Sequence, residues 1–314
     1  MTRASLSLLV ALAVCGACLP MRSSSQASAA GEETPYSASG ADTCLACHNN
    51  PLVVGIVQTK HAVPSDARGP FGHGQLQCES CHGPGGAHAT MQQVDGKLAH
   101  VIHFRKDSAA SAEAQNGMCL GCHEADTGFA AHGGAHDDND VTCANCHQLH
   151  TPRDAVRITS LQAGKCNECH AFRKSDMLKA YAHPLREGKM ACTGCHSPHG
   201  ATTEGLLVRQ TTNDTCYQCH AEKRGPFLWE HAPVAEDCTT CHNPHGSNQP
   251  GMLVSRAPLL CQSCHSQSGH PSLAQDAGGL ASAAPSQYLL GQSCLNCHSQ
   301  VHGSNHPSGS KLMR

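Results

Sequence analysis

Twenty of the chain's 22 cysteines fall into ten Cys-x-x-Cys pairs, and a histidine follows every pair. The units are Cys44/Cys47/His48, Cys78/Cys81/His82, Cys119/Cys122/His123, Cys143/Cys146/His147, Cys166/Cys169/His170, Cys192/Cys195/His196, Cys216/Cys219/His220, Cys238/Cys241/His242, Cys261/Cys264/His265 and Cys294/Cys297/His298. Structural zinc sites use paired Cys-x-x-Cys units but need no histidine after the second cysteine. Disulfides need none either. With 25 histidines in 314 residues, ten matches in ten by chance have a probability on the order of 10⁻¹¹, so the histidine belongs to the motif.

The chemistry that requires this spacing is c-type haem attachment. Two thiols add across the two vinyl groups of a haem, and the imidazole takes one axial position on the iron. On a helical turn, residues i, i+3 and i+4 share one face, so both sulfurs and the ring reach the same haem. The expected cofactor is therefore ten covalently bound haem c.

Composition agrees. One Trp, four Tyr and five Phe are too few for a side-chain core in a chain of this length. With only about 28 residues of mature chain per motif, the macrocycles themselves would supply the apolar interior. The expected fold is a multihaem cytochrome c: short α-helices and loops wrapped around an elongated chain of haems, with little sheet. Loops such as Gly83-Pro84-Gly85-Gly86 separate the helices, and Leu161 to Glu187 is expected to hold longer helical turns around Met177-Leu178-Lys179-Ala180.

Residues 1–30 read as an export signal. Arg3 precedes an apolar run from Ala4 to Leu19, Pro20 ends it, and small residues follow at Ala27-Ser28-Ala29-Ala30. The run is shorter than the roughly 20 residues a membrane span needs. Cys15 and Cys18 raise a lipoprotein signal, which their flanking residues fit poorly. Net charge is −3, with no basic run, so nucleic-acid binding has no electrostatic support. The mature chain divides into pentahaem halves at 31–170 and 171–314.

The remaining histidines repeat. His61, His136 and His183 each lie 17 residues after a first cysteine, and His231 lies 15 after one. His150, His199 and His245 each trail a motif histidine by three. This defines a unit of 45 to 50 residues that carries two motifs and two spare histidines. The first copy is stretched and offers His88. The fifth is irregular, with Gly278 where a histidine is expected, and offers His270, His302 and His306. The expected distal ligands are His61, His88, His136, His150, His183, His199, His231, His245, His270 and His302, with His306 and His73 as substitutes in the irregular copies. A histidine three residues from a proximal ligand cannot reach the far face of the same haem, so it should serve a neighbour.

The chain resembles the periplasmic decahaem cytochromes of the MtrA/DmsE family. The resemblance rests on the count of ten motifs and on LQCESCHGPGGAH (Leu76 to His88), the CHSPHG and CHNPHG pair, and SCLNCHSQVHGSNHPSG (Ser293 to Gly309). It implies bis-histidine irons and an elongated haem wire in two pentahaem halves. It also implies partners: an outer-membrane β-barrel porin that sheathes the wire, an extracellular multihaem cytochrome or terminal reductase, and a periplasmic or inner-membrane electron donor. The location implied is the periplasm at the outer membrane. An iron with two protein ligands passes electrons and has no open position, so the chain reads as a conduit rather than an enzyme. Two alternatives stand beside this: a soluble periplasmic shuttle to a terminal reductase, and a multihaem reductase with one open haem in the fifth repeat.

Overall fold

The computed structural model describes residues 35–105, 107–127, 134–265 and 294–313. Regular structure is sparse and local, as the composition requires. Most helices are one or two turns long, and they sit on the motifs: Ala41–Leu45, Glu79–His82, Cys143–Cys146, Thr159–Cys166, Thr212–Cys216 and Ala257–Gln262, with 3₁₀ turns at Cys192–Gly194, Cys238–Thr240 and Cys294–Asn296. The sheet among the described residues is one pair, Gln93–Val94 against Lys97–Leu98. Asp95 and Gly96 join its strands with φ of 51° and 74°, the left-handed pair that a two-residue hairpin needs.

Each motif closes one helical turn. The histidine N–H donates to the carbonyl of the first cysteine at His48 (2.9 Å), His82 (3.0 Å), His147 (2.8 Å), His170 (3.0 Å), His196 (2.9 Å), His220 (3.0 Å), His242 (3.0 Å), His265 (2.9 Å) and His298 (2.9 Å). The third motif lies inside the helix Ala112–Thr127, which has 16 residues. Short pieces were expected here, and Gly117 and Gly121 weaken the helix by about 1 kcal/mol each relative to alanine. Ser111 offsets part of this, since its Oγ accepts the N–H of Ala114 at 3.1 Å.

The helical turns expected around Met177–Ala180 end earlier. A helix runs from Ala171 to Met177, and Leu178 caps it. Its carboxylate, Asp176, has a side chain only 2% exposed and takes Lys179 Nζ at 2.6 Å and Arg173 Nη1 at 3.2 Å. Buried apolar side chains are few: Ala41, Ala87, Ala99, Ala163, Met177 and Leu185 among the described residues. Ala163, Met177 and Leu185 form one small cluster with Met190 and Cys192 against it.

Two stretches repeat with a displacement of 46 residues. Ser197 N–H donates to Leu206 and Val208 N–H to Cys195; Asn243 donates to Met252 and Val254 to Cys241, at 2.7 to 2.9 Å. Each stretch contains a left-handed glycine, Gly205 (φ 66°) or Gly251 (φ 68°). Longer-range bridges join Tyr181 to Ser247 and Trp229 to Ser304, so corresponding parts of successive repeats are laced together in the same way.

Candidate haem-binding sites

The motifs form a row in sequence order. First cysteines of consecutive motifs meet thiol to thiol: Cys44 with Cys78, Cys119 with Cys143, Cys166 with Cys192, Cys216 with Cys238, and Cys261 with Cys294. Second cysteines feel the next motif as well. Burial, then Cys122, raises Cys81; burial, then Cys264, raises Cys241; and burial raises Cys146 and Cys195 with Cys166 and Cys169, or Cys216 and Cys219, beside them. Each motif thus has thiols near those of the next motif in sequence. Burial, then the neighbouring thiol, pushes Cys44, Cys216 and Cys261 up to about 11. Hydrogen bonding to the paired thiol, then burial, also holds Cys119 and Cys166 protonated.

The second thiols differ in exposure along the row. Cys47 is exposed, whereas Cys44 of the same motif is half-buried. Cys47 is the second thiol of an odd-numbered motif, and the exposed His48, Asn49 and Asn50 follow it. Its main chain still keeps the motif turn, with its N–H donating to the Cys44 carbonyl at 3.2 Å. Cys297, second thiol of the last motif, is exposed at the other end of the row. Cys122, Cys169, Cys219 and Cys264, the second thiols of the other odd-numbered motifs, are exposed as well, while Cys81, Cys146, Cys195 and Cys241 are half-buried.

Side-chain amides fix the first-thiol pairs. Asn116 Oδ1 accepts from Cys143 N–H at 2.8 Å, and Asn213 Oδ1 accepts from Cys238 N–H at 2.7 Å. Gln162 Oε1 accepts from Thr193 N–H at 2.9 Å, and Gln77 Oε1 from Ala41 N–H at 2.6 Å. The sequence reading passed over these residues. The signal was present, because Asn116 and Asn213 both stand three residues before a first cysteine.

The described expected distal histidines lie opposite motif histidines, of another repeat in every case but His88. Ring centroids are 6.2 Å apart for His48–His88 and His82–His150, 6.0 Å for His61–His123 and 6.2 Å for His136–His170. They are 6.0 Å apart for His147–His199 and 6.3 Å for His183–His220. His196–His245, His231–His265 and His242–His302 stand at 6.0 Å. Metal–nitrogen bonds of about 2 Å, with the ring centres about 1.1 Å behind each Nε2, put axial imidazoles about 6 Å apart across one metal ion. Nine ring pairs at one spacing fit nine haem irons. Interplanar angles run from 10° at His196–His245 to 75° at His82–His150. Among the described residues no group of three or more His, Cys, Asp or Glu is arranged to hold a metal ion.

The partner choice has a rule. A spare histidine after an odd-numbered motif faces the motif two places forward, as His61 faces His123 and His183 faces His220. A histidine trailing an even-numbered motif faces the motif two places back, as His150 faces His82 and His302 faces His242. The first motif has no odd predecessor, and His88 faces it instead. His270, the remaining expected ligand, lies outside the described residues. So does His132.

The outer ring nitrogens are tied down. Nδ1 meets a main-chain carbonyl oxygen at His82 (Ile102, 2.6 Å), His88 (Ala99, 2.9 Å), His136 (Pro198, 3.0 Å), His150 (Val53, 3.0 Å) and His183 (Pro244, 2.8 Å). The same holds at His196 (Gly205, 2.6 Å), His231 (Val301, 3.0 Å), His242 (Gly251, 2.7 Å) and His298 (Lys311, 2.8 Å). A carbonyl only accepts, so Nδ1 carries the hydrogen and Nε2 keeps its lone pair for a metal. Burial lowers His61, His82, His199, His245 and His302, which keeps these rings neutral and able to ligate.

His306 has the opposite tautomer. Its Nδ1 accepts the N–H of Ser308 at 3.2 Å, so its Nε2 bears the hydrogen. That arrangement does not suit a ligand in waiting. His73, the other substitute, lies exposed between Gly72 and Gly74.

Comparison with known proteins agrees with this geometry. Residues 183–225 and 231–270 match the doubled CXXCH motif model, and residues 78–162 match the model of NrfB-like c-type cytochromes. The chain is 30% identical to the cytochrome c-type protein NrfB of Haemophilus influenzae over 115 residues, 35% of this chain and 50% of that protein. It is 47% identical to the multihaem cytochrome MtrA of Shewanella baltica over 285 residues, which cover 90% of this chain and 84% of that one. With its CxxCH units holding haem c covalently, the chain belongs to the MtrA family of multihaem electron-transfer cytochromes.

Proposed function

We propose that this chain is a decahaem conduit carrying electrons between the periplasm and the cell exterior, inside an outer-membrane porin. The observation that supports this most is the set of nine histidine ring pairs, with centroids 6.0 to 6.3 Å apart, that runs along the motifs. Haem iron supplies a one-electron ferric–ferrous couple. The protein's part is to hold each iron between two neutral imidazoles, orient those rings through Nδ1, and keep successive sites adjacent.

In this reading the 20 motif cysteines, the exposed Cys47 among them, attach ten haems, and all ten motif histidines are proximal ligands. His61, His88, His136, His150, His183, His199, His231, His245 and His302 are distal. His270 completes His298 by the end rule that gives His88 to the first motif: the ninth motif's spare histidine has no eleventh motif to serve. Two ligands per iron leave no position for substrate, which favours conduction over a reductase. The halves 31–170 and 171–314 are then two parts of one elongated row, continuous through Cys166 and Cys192, rather than separate domains.

Residues 1–30 act as the export signal, and the working site is the periplasmic face of the outer membrane. No helix among the described residues is long and apolar enough to cross a membrane. A bilayer with its headgroups is about 40–45 Å thick, too far for one electron-tunnelling step. A water-lined β-barrel is the sheath that satisfies its own backbone in lipid. An extracellular multihaem cytochrome or reductase would take the electrons, or give them, at one end, and a periplasmic or inner-membrane cytochrome would serve the other.

The test is a liposome with reduced dye inside and insoluble iron oxide outside. Protein with its barrel partner should oxidise the dye, and protein alone should not. Transfer by the protein alone, or failure to co-purify with any barrel, would favour the periplasmic shuttle.

A further inference from the structure

We propose that Asp154 sets the potential of the fourth haem site by acting through His147, making that site the most electron-rich of those whose outer ring contacts are described. This rests on the reading of His147 as an axial ligand. Ten of the paired or motif histidines have a described hydrogen bond at Nδ1, and nine of these meet a main-chain carbonyl. His147 meets a carboxylate, Asp154 Oδ2, at 2.6 Å. A second carboxylate, Glu222, stands 3.8 Å from His220 Nδ1, beyond hydrogen-bond reach and with both side chains exposed.

Three features show that the contact is built into the fold. Asp154 is largely buried, its side chain 13% exposed. It stands at the start of the turn Ala155–Arg157, where an aspartate would ordinarily cap, yet its side chain makes no capping bond there. Its other oxygen, Oδ1, accepts the N–H of Gln148, the residue after the ligand, at 3.4 Å. The corresponding return loops after His196 and His242 bring a left-handed glycine carbonyl to the ring from nine residues on, at Gly205 and Gly251. After His147 the return comes seven residues on, and the side chain of Asp154 replaces the carbonyl.

The chemistry follows from charge. A carboxylate is a stronger acceptor than an amide carbonyl, and it draws the Nδ1–H bond toward itself. The ring gains imidazolate character and donates more strongly through Nε2. That stabilises the ferric state over the ferrous one and lowers the potential. The hydrogen stays on Nδ1, and reduction adds one electron from an external donor such as dithionite; no bond forms or breaks. Asp154 is thus a positioning and tuning residue, and it places a local step in the row between the third and fifth sites.

The test uses the holoprotein in three forms: native, Asp154→Asn and Asp154→Glu. Each is titrated with dithionite and followed by electron paramagnetic resonance. The Asn variant should keep its haem count by intact mass and its bis-histidine signature by near-infrared magnetic circular dichroism. One haem should become easier to reduce by tenfold or more, where each tenfold is 59 mV for one electron. The Glu variant should titrate like the native protein. An Asn variant with full haem content and an unmoved titration overturns the proposal.

If the Asn variant loses haem, the native protein decides. Redox-difference infrared spectra with ¹³C-labelled aspartate should show a carboxylate band that shifts as one haem changes state, and no such band at any potential overturns the proposal. Failure of the ligand reading looks different: His147→Met would then leave the magnetic circular dichroism unchanged.

Discussion

The Nδ1–H of His183 donates to the carbonyl of Pro244, the residue immediately before His245, at 2.8 Å. His183 faces His220, while His245 faces His196. The outer atom of one proposed distal ligand is thus bonded to the main chain that carries the distal ligand of the adjacent site. His136 does the same at Pro198 beside His199, and His231 at Val301 beside His302. Neighbouring sites share one hydrogen-bonded frame, which links their geometry without any large side-chain core.

That frame makes His183 a sharp place to test ligation. His183→Met should turn one iron of the ten from bis-His to His/Met and raise its potential, because thioether ligation favours the ferrous state. A new near-infrared charge-transfer band in magnetic circular dichroism is the expected sign. An unaltered spectrum removes His183 from the ligand set.

The trailing histidines depend on the glycine that follows them. Gly246 has φ of 142°, and a Cβ there would run into the main-chain carbonyl of Asp176. Gly303 has φ of 130° against the ring of Phe227. Gly246→Ala should therefore destabilise the protein by about 1–3 kcal/mol through forced backbone strain. A lower denaturant midpoint, read from the Soret band, checks this. Gly194→Ala, where nothing lies within 4 Å of the added carbon, is the matched control.

Asp176 gives a pH-dependent prediction. Burial alone would raise its pKa, but hydrogen bonds from Lys179 and Arg173 outweigh that and hold it below the usual aspartate range. A depressed folded pKa contributes stability above the unfolded value, near 4, and loses it as pH falls through the folded value. Arg173 and Lys179 are themselves partly exposed, so the contribution is about 1–2 kcal/mol at neutral pH. Asp176→Asn should lower stability by that amount at pH 7. The gap between variant and native protein should close as the pH falls below 4.

The attachment motif and most of the histidines whose rings meet motif histidines were legible in sequence because both rest on short, fixed spacings. The 17-residue interval that marks His136 and His183, and the three-residue interval that marks His199 and His245, lead to rings that do meet motif histidines. Which ring meets which was not legible, since His150 reaches back to His82 across a sequence gap of two motifs. Nor was the exposure of Cys47, which it shares with the second thiols of the other odd-numbered motifs, because the motif looks alike in every copy. At the amide clamps, the place of Asn116 and Asn213 three residues before a first cysteine was legible, but their partners, 25 to 27 residues away, were not. The 16-residue helix over the third motif was missed because its two glycines argue for interruption, while its tertiary setting carries it through.

The order of the row yields the last prediction. The fifth motif's thiols are electrostatically coupled to Cys146 of the fourth motif and to Cys192 of the sixth. The thiol contacts described above all join consecutive motifs, so a missing fifth haem leaves no detour. Tunnelling falls off exponentially with distance, and doubling one gap is far more damaging than shortening the row at its end. Replacing Cys166 and Cys169 with alanine should give a nine-haem protein by intact mass, and transfer across the loaded liposome should collapse by orders of magnitude. Replacing Cys294 and Cys297 also removes one haem but should leave a measurable fraction of the rate, because the other nine sites remain contiguous. Equal losses from the two variants would mean that the haems branch, and the sequential row would have to be abandoned.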